Sequence, residues 1–106
     1  MKVATTTTDN ITEILNRIIA FTELRRDVLT RNLFVYKQEH FRPKDLPVGE
    51  FSKCMTEAVS EYLHSRRLLL CDKKNVYFGE EGTFEALPTI DHEAEQLLQS
   101  RAGHVP

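Results

Sequence analysis

Four histidines and two cysteines are the first residues of this chain to weigh as metal ligands or nucleophiles. A zinc site gathers its donors at short, recognisable spacing. His40, His64, His92 and His104 fall in four separate stretches, with no HExxH and no CxxC. Asp91-His92-Glu93 comes nearest to a donor set, but the helix dipole alone favours acidic residues in a first turn. Cys54 stands at helical spacing with Phe51, Met55 and Ala58, an apolar setting that makes a thiol inert rather than nucleophilic. No glycine-rich loop is present to cradle phosphate. The expectation is a protein without catalytic residues, cofactor or metal. Both thiols are expected free, with Cys54 buried and Cys71 at least half buried.

The basic residues suggest a different chemistry. Arg25-Arg26, Arg31, Arg66-Arg67 and Lys73-Lys74 are the cationic points, in a chain that is 28% charged with a net charge of −2. That balance creates no general attraction to nucleic acid or to an anionic membrane. Glu23 and Asp27 interleave the first group, as on a solvated helix face, and Arg66-Arg67 closes a helix, where cations are favoured. The order helix, helix, hairpin is similar to a winged helix-turn-helix with Lys73-Lys74 at the wing tip. However, Glu57 and Glu61 give its would-be recognition helix the wrong sign for a groove. A DNA-binding regulatory domain therefore stands as the alternative reading. A small helical adaptor or chaperone dimerising through its long helix stands beside it.

The elements that position these residues follow from periodicity. With 106 residues the chain is one domain. No apolar run approaches the ~18 residues of a membrane span, and the Thr-rich start lacks the apolar region of a secretory signal. Residues 1–9 read as a flexible leader, 10–100 as a single helical domain and 101–106 as a frayed tail. Asn10 and Glu13 have capping-box spacing. From there Ile14, Phe21, Val28 and Val35 recur every seven residues. Ile11 and Ile18 fill the alternate seam, Leu15, Leu24 and Leu29 flank it, and Arg25 and Asn32 later occupy it. Polar seam residues set register and partner number. One helix over 10–37 would be about 40 Å long, and its surplus apolar face implies a partner helix.

A Pro-containing break over 38–49 precedes a second amphipathic helix over 50–66, with its stripe on Phe51, Cys54, Met55, Ala58, Val59, Tyr62 and Leu63. Leu68–Cys71 and Val76–Phe78 flank a polar turn and predict a small β-hairpin closed by Gly79 and Gly82. Pro88-Thr89-Ile90-Asp91 signals a short last helix over 91–99. The fold class is mainly α.

Arg25-x-x-Val28-Leu29-x-x-Asn32-Leu33 resembles the N-terminal signature of bacterial flagellar basal-body rod proteins, closest to the proximal, B-type rod protein. Counted on without a gap, Phe41 falls on that family's aromatic position and Lys44-Asp45-Leu46 on its [RK]-D-[IL] step. Thr89-Ile90-Asp91 looks like the T-V-D opening its C-terminal helix. The family's A-N-x-x-T-P-G loop is replaced by Phe34–His40, and the C-terminal helix is shorter. The resemblance implies a structural rod subunit, exported without a cleaved signal peptide to the flagellar basal body; a chain outside that family would be cytoplasmic. It implies helix-to-helix contacts with copies of itself, with related rod proteins and with the export apparatus. The expected interface is Ile11, Ile14, Ile18, Phe21, Leu24, Arg25, Val28, Leu29 and Asn32. Ile11 to Phe21 has no obvious cover within the chain.

Overall fold

The computed structural model describes residues 7–79 and 84–103. Its elements are α1 (Thr7–Val35), β1 (Lys44–Asp45), α2 (Val48–Ser65), β2 (Val76–Phe78), β3 (Phe84–Ala86), β4 (Thr89–Ile90) and α3 (His92–Gly103). The mainly helical class holds: a long first helix, a one-sided second helix, an antiparallel hairpin and a short last helix. The molecule measures 65 × 24 × 18 Å, because α1 alone spans about 44 Å by its rise per residue.

α1 begins earlier than its capping signal. Asn10 lies inside the helix, and its side-chain amide donates to the carbonyl of Arg66, 3.5 Å away. Thr7–Asp9 are thus helical rather than leader, and Arg101–Gly103 complete α3 rather than fray. Residues 1–6 and 104–106, with His104, lie outside the described residues. α2 follows Pro47 and ends where Arg66 turns left-handed (φ 62°), its N–H donating to the carbonyl of Tyr62.

The core lies between α1, α2 and the hairpin. Ile14 and Phe21 of α1 meet Phe51, Cys54, Met55 and Ala58 of α2, with Leu46 below and Val76 of β2 closing the side. The Phe21 and Phe51 rings stack with centroids 4.0 Å apart and planes within 7°. Burial of a Phe contributes roughly 1.5–3 kcal/mol, and an aromatic pair roughly 0.5–1.5 kcal/mol more. Val59 and Leu63, expected on the α2 stripe, are exposed; the buried stripe is one residue narrower on each turn.

The hairpin differs from its sequence reading. Val76–Phe78 pairs with Phe84–Ala86, in the register Val76 to Ala86 and Phe78 to Phe84. Leu68–Cys71 is not a strand: Leu68 and Leu70 pack irregularly against the core. Pairing with β3 lets the Phe84 ring contact Phe78 and Phe51, with centroids 6.1 and 5.8 Å away, which the polar turn at 72–75 could not. Gly82 and Glu80-Glu81 fall outside the described residues. Two further strands had no sequence signal: β1 and β4, two residues each, pair antiparallel with Lys44 opposite Ile90 and Asp45 opposite Thr89.

A polar brace and a candidate assembly surface

The seam residues Arg25 and Asn32 both face β1. The Arg25 guanidinium grips Asp45 with two hydrogen bonds of 2.9 Å, from Nε to Oδ1 and from Nη2 to Oδ2. This is the planar, two-pronged geometry for which arginine is suited. The hydrogen bond that Arg25 donates to Asp45 is the main reason the Arg25 pKa is raised. About two turns further on, Asn32 reads the backbone of Lys44 in both senses. Its Nδ2 donates to the Lys44 carbonyl at 2.8 Å, and its Oδ1 accepts from the Lys44 N–H at 3.1 Å. An amide side chain donates from its nitrogen and accepts at its oxygen at once.

β1 passes the brace on to the end of the chain. Beyond the pairing of β1 with β4, the Asp91 N–H donates to the Pro43 carbonyl at 2.9 Å. Asp91 Oδ1 accepts from the Ala94 N–H at 3.0 Å, the side-chain N-cap that starts α3. Arg42 binds Glu95 through both carboxylate oxygens, one at 3.1 Å. That bond holds the Glu95 carboxyl below its ordinary value and raises Arg42. Leu46 drops into the core beside Asp45.

Of the residues expected at an assembly interface, the structure buries two in the chain's own core: Ile14 and Phe21 are 5% and 6% exposed. Val28 packs partly against the same core. The expectation that Ile11 to Phe21 lacks intrachain cover is therefore corrected, since α2 covers its Ile14 and Phe21 side. Arg25 and Asn32 serve the intrachain brace. Ile11, Ile18, Leu24 and Leu29 remain at the surface.

Sequence reasoning missed Arg17, which is 4% exposed. It bonds Glu13 one turn back, and its guanidinium lies 6.0 Å from the Phe78 ring centre. Its spacing from Ile14 and Phe21 puts it on the buried face, a signal available from sequence. It also missed a groove of about 360 Å³ between the end of α1 and α3. Leu33, Tyr36, Phe41, Pro43, Leu97 and Leu98 supply its apolar walls. Of these walls Leu33 is 73% exposed and Leu97 66%, and Phe34, the next residue after Leu33, is 82% exposed.

The remaining chemistry stays apart. His40, His64 and His92 are exposed on separate elements, and no group of three metal-ligating side chains gathers among the described residues. Cys54 is buried and Cys71 half-buried, both free. The Cys54 thiol donates to the Cys71 carbonyl, and burial pushes its pKa up. Glu57 is paired with Lys73, and Glu61 with Arg67. Glu57 and Glu61 on α2 are therefore matched by Lys73 and Arg67, cations from beyond the helix. No described helix is long and apolar enough to cross a membrane. No family model, curated protein or solved structure matches the chain.

Proposed function

We propose that this chain is a non-catalytic structural subunit of the bacterial flagellar basal-body rod, assembling by packing the exposed side of α1 against neighbouring helices. One observation carries the reading. The positions on which the resemblance rests lie far apart in sequence, yet they join in one connected unit: Arg25 to Asp45, Asn32 to Lys44, Lys44-Asp45 to Thr89-Ile90, and Asp91 to the start of α3. That connection gives these separated positions a common structural role, which supports the reading. The brace ties the second half of α1 to β1, and through β4 to the start of α3. Aliphatic residues left in water along α1 provide the driving force for packing.

The test is deletion of the gene in its source bacterium, with purification of basal bodies. Loss of rods, and recovery of a tagged copy in the basal-body fraction of complemented cells, is the expected result. Normal flagella together with absence of the tagged chain from that fraction overturns the reading.

A further inference from the structure

α1 carries a second apolar stripe beside the one it buries. Ile11, Leu15, Ile18, Leu29 and Leu33, with Tyr36 just past the end of the helix, follow steps of three and four on either side of an eleven-residue gap, and all six are exposed. The stripe is about 38 Å long by helical rise and is broken at its centre by Thr22, Arg25 and Arg26. It is therefore apolar at both ends and polar in the middle. Glu23 and Arg26, which flank the break, are exposed and form no ion pair among the described residues.

We infer that this stripe takes a second copy of the same helix, running antiparallel, to form a closed two-fold dimer. One register satisfies the whole stripe. Ile11 lies against Tyr36 of the second copy and Ile18 against Leu29, both centred midway between Glu23 and Leu24, with Leu15 against Leu33 centred half a residue further on. Close to that centre Glu23 meets Arg26 of the second copy, and Arg26 meets its Glu23. A two-fold axis repeats every contact, so both ends of both stripes are covered. The apolar groove beside Leu33 and Tyr36 receives Ile11 and Leu15 of the second copy, with Leu97 and Leu98 closing over them. A parallel pairing in register instead sets Arg26 beside Arg26 and Glu23 beside Glu23, and juxtaposed like charges are costly. The charge pattern thus selects both the occupant and its direction. This inference rests on the reading of α1 as an association surface. It adds that the free subunit covers that surface with itself, so rod packing has to exchange one helix partner for another.

Disulfide trapping tests it in the full chain. Leu15→Cys and Leu33→Cys are introduced separately in a Cys71→Ser background, Cys54 being buried, and the two variants are mixed under mild oxidation. The expected product is the mixed Leu15–Leu33 cross-link, with sedimentation showing a dimer. Cross-linking of Leu15→Cys only to itself marks a parallel pair and overturns the inference, as does a monomer throughout the concentration range. Glu23→Arg and Arg26→Glu should each weaken the dimer about tenfold, because each change acts at two symmetric sites. Combining them should restore near-native affinity, and a failure to restore it removes the proposed register. All four positions are exposed, so unchanged thermal melting shows that folding is intact. A monomeric chain that still appears in basal bodies would refute the dimer alone; a dimer absent from basal bodies would refute the rod reading alone.

Discussion

The two apolar faces of α1 have nearly the same composition and opposite fates. Ile14 and Phe21 lie on one face and are almost fully covered, while Ile18 and Leu29, on the neighbouring face, remain at the surface. In both faces the apolar residues recur every seven or at alternating three and four, which is all that a partner helix requires. What separates them is the reach of the rest of the chain. α2, with Phe51 opposite Phe21, is long enough to cover one side of α1 and no more. Heptad spacing thus marks a helix that wants company without saying whether that company comes from its own chain.

The most direct way to break this comparison is to place the same charge on each face. Ile14→Asp buries an unpaired carboxylate in the core, at a cost of several kcal/mol, and should abolish cooperative thermal unfolding. Ile18→Asp leaves its charge in water, so the melting temperature should stay within a few degrees while self-association falls. Equal loss of melting temperature for both variants would show that the two faces do not differ as described.

Smaller effects sharpen the role of the brace. Asn32→Ala removes both hydrogen bonds to Lys44 and should cost about 1 kcal/mol in chemical denaturation. Asn32→Asp, which can accept from the Lys44 N–H but cannot donate to its carbonyl, should recover only part of that loss. Full recovery by the aspartate would mean that the carbonyl bond contributes nothing.

The smallest expected effect is pH-dependent. Because Arg42 holds Glu95 below its ordinary value, their pair stabilises the fold above the free glutamate range, near ~4.3. That contribution fades as pH falls through the lowered value, since the protonated carboxyl no longer attracts the guanidinium. Glu95→Gln should be less stable than the native chain at neutral pH, by an amount that salt reduces, and the gap should close in acid. The denaturation midpoints of both chains, followed from neutral to acidic pH, check the sign; a gap that widens in acid contradicts it.

Local pattern was sufficient for the helices and for most of the core. Phe51, Cys54, Met55 and Ala58 were legible because a buried stripe at helical spacing needs only the neighbouring turn to define it. The Pro-Thr-Ile-Asp step showed where α3 begins, because Asp91 caps it from within its own turn. Tertiary structure alone decided the rest. β1 and β4 have two residues each and acquire their identity from strands 44 residues apart in the Asp45–Thr89 pairing, a distance over which no period can speak. The hairpin strand Val76–Phe78 had two apolar neighbours in sequence, and pairing with Phe84–Ala86 won because it brings the Phe84 ring to Phe51. Arg25 and Asn32 looked like polar intrusions in a coiled-coil seam; only the return of Lys44-Asp45 alongside α1 made them the anchors of a brace. Periodicity describes what one helix can offer, and it is the path of the chain that settles which offer is taken.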